Sequence, residues 1–154
     1  MLAAIRPDTW NWLLFFHLLF AFALVGATIT VVLTSLAAAR AGNGGHLPLL
    51  RSVALWTSLG VVVPSFVGLR IFGGLLADRE YGDNAPDWLD ISFGLTDIVV
   101  LFGGVLLILV QYWVIRRLRS GKAGWPAQIA NYLPLLLLAT MTAVIVVMAG
   151  KPGS

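Results

Sequence analysis

The 154-residue chain lacks cysteine and contains few charged residues. Without cysteine it cannot form disulfides, iron–sulfur clusters, thiolate-ligated haem or covalently attached haem. Charged residues make up 11% of the chain and apolar residues 59%, which is too little polar surface to cover a soluble particle of this size. The composition therefore excludes a soluble fold and predicts an integral membrane protein.

The chain also lacks the sequence motifs of the common enzyme classes. It contains no Walker A motif, no GxGxxG, no HExxH and no Ser-His-Asp spacing typical of hydrolases. Its formal net charge of +3 comes from Lys and Arg in the links between apolar runs, so we expect no nucleic-acid partner. Histidine, methionine and oxygen atoms remain as candidate ligands for a metal or cofactor.

Four apolar runs are each long enough to cross a lipid bilayer as an α-helix. They cover residues 13–36, 53–76, 91–115 and 129–149, and short links rich in Gly and Pro separate them. This pattern predicts an all-α integral membrane protein, a single antiparallel four-helix transmembrane bundle over residues 1–154. Pro64 and Pro134 fall inside the second and fourth runs, where proline interrupts helical hydrogen bonding.

The basic residues predict how these helices are oriented. Three basic residues lie on one side of the predicted spans, whereas six lie in the first and third links: Arg40, Arg51, Arg116, Arg117, Arg119 and Lys122. Short links rich in Lys and Arg stay on the cytoplasmic side. We therefore expect a multi-pass protein of the bacterial cytoplasmic (inner) membrane with the N-terminus and the C-terminus outside.

Three ionisable residues, His17, Arg70 and Asp97, lie within the apolar runs. Each would cost about 2.5–3.5 kcal/mol in the middle of a span, so each is a functional candidate. In the predicted orientation all three lie about 8–13 Å below the outer surface, and Thr142 of the fourth run lies at a similar depth. We expect these four residues to form one polar intramembrane layer beside a pocket that opens outward. Gln111 lies on the same predicted face of the third run as Asp97.

These residues have structural explanations as well as functional ones. Arg70 and Asp97 could neutralise each other and fix the register of the helices without taking part in chemistry. His17 could ligate haem iron or another metal, although one imidazole does not specify a metal. Met141 and Met148 are more typical of packing than of axial ligation.

Short motifs along nearly the whole chain resemble those of a known membrane-protein family. Four of them occur in the same order as in the small four-helix membrane protoporphyrinogen oxidase family: Trp12-x4-His17-x8-Gly26, Pro64-x8-Gly73, Trp88-Leu89 and Asn131-x2-Pro134. The same order of motifs, followed by Met148-x-x-Lys151-Pro152, is similar to that of a related bacterial family of unknown function, domain-of-unknown-function family 2269. The latter is the better match, and both resemblances imply four membrane helices.

The resemblance to the oxidase family implies a role for one residue, His17, as a ligand of b-type haem. The oxidase pattern has charged residues at four positions where this chain has Leu14, Asp90, Ser92 and Tyr132. We therefore do not assign the oxidase activity to this chain.

Two functional hypotheses follow. In the first, the chain is a non-catalytic accessory or assembly subunit of a larger membrane complex, and the polar layer is a structural lock. In the second, it is a b-type haem or porphyrin-binding redox protein: His17 is an axial ligand, Arg70 binds a propionate, and Asp97 orients Arg70 or relays protons. Small residues such as Gly26 and Thr30 could also mediate self-association in the bilayer.

Overall fold

A computed structural model describes residues 11–41, 46–82, 89, 93–94, 96–118 and 125–149. These residues form helices and include no strand, which confirms the predicted all-α class. Some residues of the motifs and links lie outside the described part of the chain: Trp88, Asp90, Ser92, Arg119, Lys122, Lys151 and Pro152, together with the side chain of Met148. The predicted start of the third span, at residue 91, also lies outside it.

Four helical segments follow one another along the chain. Helix α1 is Asn11–Arg40, α2 is Leu47–Tyr81, α3 covers residues 97–118 and α4 is Trp125–Ala149. Three helical stretches are long and apolar enough to span a membrane: Asn11–Arg40, Leu47–Tyr81 and Val100–Leu118. The apolar stretch of α4, Ala127–Ala143, is shorter.

Helix α2 begins six residues before the predicted second span. Leu47 and Pro48 form its first turn, where the missing N–H of proline costs no hydrogen bond. Arg51, which the sequence places in a link, therefore lies inside the helix. The helix is therefore longer at this end than the predicted span.

Two π-helical turns interrupt the regular α-helices. The turn Ser58–Val62 lies directly before Pro64 in α2, where proline cannot make the usual α-helical hydrogen bond. The turn Asp97–Phe102 begins α3 and has Asp97 as its first residue. Such π turns are rare and frequently occur at functional sites.

Close contacts show that α1 and α2 are antiparallel. An ideal Cβ on Gly68 would lie 2.6 Å from the Phe20 ring, and one on Gly73 would lie 3.1 Å from Cε1 of His17. Phe20 lies after His17 in α1, whereas its contact Gly68 lies before Gly73 in α2, so the two helices run in opposite directions. Phe72 reinforces this contact because its ring stacks on that of Phe20, with ring centroids 5.6 Å apart.

Helices α3 and α4 are also antiparallel. The Trp113 and Trp125 rings pack edge to face with centroids 5.5 Å apart, and Gly103 lies against Leu137 farther along the pair. Helix α1 packs against α2 and α4, and α3 packs against the same two helices. The apolar core at their centre includes Val31, which is fully buried.

Much of the apolar surface faces outward. Phe22, Phe102 and Trp56 are 75%, 74% and 70% exposed. In the most apolar 18-residue segment of each of the three long helices, only 22–28% is buried within the protein. Soluble monomers rarely leave such large contiguous apolar areas uncovered, so this surface is the kind that lipid chains cover.

Candidate functional site

The structure brings Arg70 of α2 and Asp97 of α3 together as an ion pair. Nε of Arg70 donates to Oδ1 of Asp97 at 2.9 Å and to Oδ2 at 3.0 Å. The guanidinium carbon also lies 4.2 Å from the centroid of the Phe93 ring, close enough for a cation–π contact. The bond to Asp97 uses Nε alone, so Nη1 and Nη2 of Arg70 take no part in it.

His17 lies against the backbone of α2. The imidazole contacts α2 at Gly73, where an ideal Cβ would lie 3.3 Å from Nδ1. Any larger residue at position 73 would therefore push the ring aside. Nδ1 of His17 is buried and has no hydrogen-bond partner in the described part of the chain.

His17 and Arg70 line the same cleft, as predicted from their similar depth. The cleft has a volume of about 160 Å³, and all four helices or the residues directly before them contribute to its wall. Apart from these two residues the wall is mostly apolar and includes Leu24, Phe66 and Met141. The cleft thus combines an apolar body with one polar end, an arrangement common in ligand sites.

Thr142 does not belong to this group. Its side chain is exposed, and its hydroxyl donates to the backbone carbonyl of Leu138 at 2.8 Å. Thr140 and Met141 line the cleft instead. This corrects the expected polar layer: depth alone does not tell which face of α4 turns inward, and its outer half is almost entirely apolar.

A second polar cluster, not expected from the sequence, lies at the other end of the helices. Arg51 is only 1% exposed, and its Nη2 donates to Oδ1 of Asn131 and, at 3.4 Å, to the carbonyl of Ala127. Its Nε and Nη1 atoms are buried without a partner among the described residues. Arg51 is thus a buried cation rather than a solvated link residue.

Gln111 and Ser35 belong to the same end of the molecule. Both are fully buried, and Nε2 of Gln111 donates to Oγ of Ser35 at 3.3 Å. The Arg51–Asn131 bond joins α2 to α4, and the Gln111–Ser35 bond joins α3 to α1, so the two bonds cross the interior between opposite helices. We call Ser35, Arg51, Gln111 and Asn131 the inner polar layer.

The cleft supplies two residue types that ligate haem iron, but it does not fit an enclosed porphyrin. His17 and Met141 both line it, and imidazole and thioether are common axial ligands. Its volume of about 160 Å³ is close to that of cavities that hold one benzene ring, about 150 Å³, whereas a porphyrin is several times larger. The described residues contain no cluster of three or more metal-binding side chains.

Comparisons of the chain with protein-family models, with curated proteins and with solved structures found no match.

Proposed function

We propose that this chain is a non-catalytic accessory protein of the bacterial cytoplasmic membrane that binds a small, largely apolar molecule in the cleft beside His17 and Arg70. The cleft itself is the observation that carries the proposal. It joins an apolar wall to a few hydrogen-bonding groups, and it lies among helices whose outer surfaces suit lipid. A membrane-soluble molecule could enter it from the bilayer without passing through water.

In this proposal the four helices form an antiparallel transmembrane bundle with both termini outside. The three long apolar helices and the basic residues at one end of the helices support this orientation. A reporter enzyme fused after Ser154 tests it: activity outside the cytoplasm is expected, and activity only in the cytoplasm would contradict it.

The state of the polar groups supports binding rather than catalysis. Both oxygens of Asp97 accept from Arg70, so the guanidinium fixes the position of the carboxylate. The Thr140 hydroxyl donates to the backbone carbonyl of Leu136 at 2.8 Å.

A bilayer would strengthen the Arg70–Asp97 pair. The two side chains are 39% and 36% exposed, and an exposed pair in water contributes about 0–1 kcal/mol. In hydrocarbon each unpaired charge would cost about 2.5–3.5 kcal/mol. Pairing therefore makes it possible to keep a hydrogen-bond donor beside an apolar cleft within the membrane.

Photolabelling tests whether the cleft binds a ligand. Decanol carrying a diazirine group is added to the purified protein in lipid nanodiscs and irradiated, and labelled residues are located by mass spectrometry. We expect saturable labelling of cleft residues. Ala21→Phe, which fills the cleft wall, should abolish it, whereas Ala37→Phe on the exposed surface of α1 should not.

Labelling spread evenly over the lipid-facing surface, without saturation, would contradict the proposal. Saturable cleft labelling that survives Ala21→Phe unchanged would contradict it as well, because that substitution places a ring in the space the ligand needs.

A further inference from the structure

We propose that the ligand of the cleft is a neutral ring that bears carbonyl oxygens, of the membrane-soluble quinone class. This inference rests on the proposed function, because it names the chemistry of the molecule that the cleft binds. Three properties of the cleft carry it: the hydrogen-bond donors at its polar end, the net charge of that end, and the shape of its apolar wall.

The polar end of the cleft offers hydrogen-bond donors from Arg70. Arg70 uses only Nε in its bond to Asp97, so its two Nη atoms carry N–H groups that this bond does not engage. The imidazole of His17 adds one donor or one acceptor, depending on the ring nitrogen that carries its proton. The complementary ligand group is therefore an acceptor, such as a carbonyl oxygen.

The net charge of the polar end favours a neutral acceptor. Among the described side chains at this end, Asp97 already balances the charge of Arg70. An anionic head group would leave one uncompensated negative charge in an apolar environment, which is strongly unfavourable. A carbonyl oxygen accepts from Arg70 without adding charge, so a neutral ligand suits this site better than a fatty acid.

The size and aromatic lining of the cleft favour a ring. About 160 Å³ accommodates one six-membered ring, as a cavity of about 150 Å³ does, and a second fused ring would project from the opening. Phe66 and Phe93 both line the cleft, and aromatic side chains pack well against flat rings. A flat ring with carbonyl oxygens directly on it meets all three requirements.

Competition between three related probes tests the inference on the wild-type protein. Menadione is a neutral naphthoquinone, 2-methylnaphthalene has the same ring system without oxygens, and 2-naphthoate carries an anionic acceptor. Each is titrated against the diazirine photolabel in nanodiscs. We expect menadione to displace the label at a concentration at least tenfold lower than either of the others, because a hydrogen bond from a charged donor changes affinity by about that factor.

The variant Asp97→Asn tests the charge argument. It leaves the Arg70 charge unbalanced, so 2-naphthoate should gain at least tenfold in apparent affinity relative to menadione. The variant Arg70→Gln should reduce the advantage of menadione over 2-methylnaphthalene to less than threefold, while the Phe102→Leu variant on the exposed surface should leave it unchanged.

The outcomes separate this inference from the proposed function. Equal displacement by menadione and 2-methylnaphthalene in the wild type, or stronger displacement by 2-naphthoate, would overturn the quinone inference while cleft binding stands. Absence of saturable cleft labelling would overturn the proposed function itself, and the inference with it. Because the central comparison uses the wild-type protein, misfolding of a variant cannot rescue the inference.

Discussion

The buried Arg51 gives the sharpest prediction about stability: Asn131→Ala should destabilise the protein more than Arg51→Met does. Asn131→Ala removes the acceptor of a buried guanidinium, and a hydrogen bond to a charged group contributes about 1.5–3 kcal/mol. Arg51→Met loses the same bond. However, it also removes two nitrogens that are buried without described partners in the wild type. Each such buried group destabilises the wild-type protein by about 1–3 kcal/mol, and the variant no longer carries this cost.

These opposing effects set the expected size of the difference. Methionine keeps much of the alkyl packing of arginine and adapts to irregular space. We therefore expect Arg51→Met to lie within about 1 kcal/mol of the wild type, or to be stabilising, as replacements of buried ionic groups often are. Asn131→Ala should lower the free energy of unfolding by about 2 kcal/mol.

Reversible unfolding in mixed micelles with rising dodecyl sulfate, followed by tryptophan fluorescence, measures both variants. Arg40→Met is the matched control, since it removes a basic side chain that is exposed at the same end of the helices and should change stability by less than about 0.5 kcal/mol. A larger loss for Arg51→Met than for Asn131→Ala would refute the reasoning. It would mean that a bound anion or a partner carboxylate compensates the charge.

Three further predictions concern packing, cofactor content and partners. Gly68→Ala should destabilise the protein by about 1–3 kcal/mol, because its Cβ would meet the Phe20 ring at 2.6 Å. Gly26→Ala is the control, since Gly26 has open space around it. Equal stability of the two variants would contradict the α1–α2 packing. The visible spectrum of protein purified from haem-replete cells should lack a Soret band, because the cleft is too small for a porphyrin; a band that disappears in His17→Ala would instead establish the haem hypothesis. Gentle native extraction should yield the chain with a stoichiometric partner, and an isolated monodisperse chain would contradict the accessory role.

Charge in an apolar run was the signal for the polar end of the cleft. Arg70 and Asp97 are the only Asp, Glu, Lys or Arg residues within the predicted spans, and the predicted orientation together with helix rise placed them at one depth. Their pairing was one of the interpretations that this shared depth left open, and the structure brings the two side chains together. Gln111 was likewise expected on the Asp97 face of its helix, and it is fully buried.

The remaining differences have physical causes. Arg51 was assigned to a link because a charge and Pro48 lower the local hydropathy, although proline in the first turn is compatible with a helix. Thr142 was placed in the layer by its depth alone, because the apolar residues of α4 show no clear periodicity that would fix its rotation. In both cases the deciding information is tertiary: Asn131 reaches Arg51 from another helix, and packing against α1 and α3 decides which face of α4 lines the cleft.

The apolar core between the cleft and the inner polar layer has an electrical consequence. Val31, Val62 and Leu107 are nearly or completely buried there, and the buried hydroxyls of Thr28 and Ser58 bond to backbone carbonyls of their own helices. In the proposed orientation, a transmembrane voltage would fall mainly across this apolar insulation, where moving one charge costs about 2.3 kcal/mol per 100 mV. The cleft would then share the potential of the outer solution, and its occupancy would be insensitive to the energised state of the membrane.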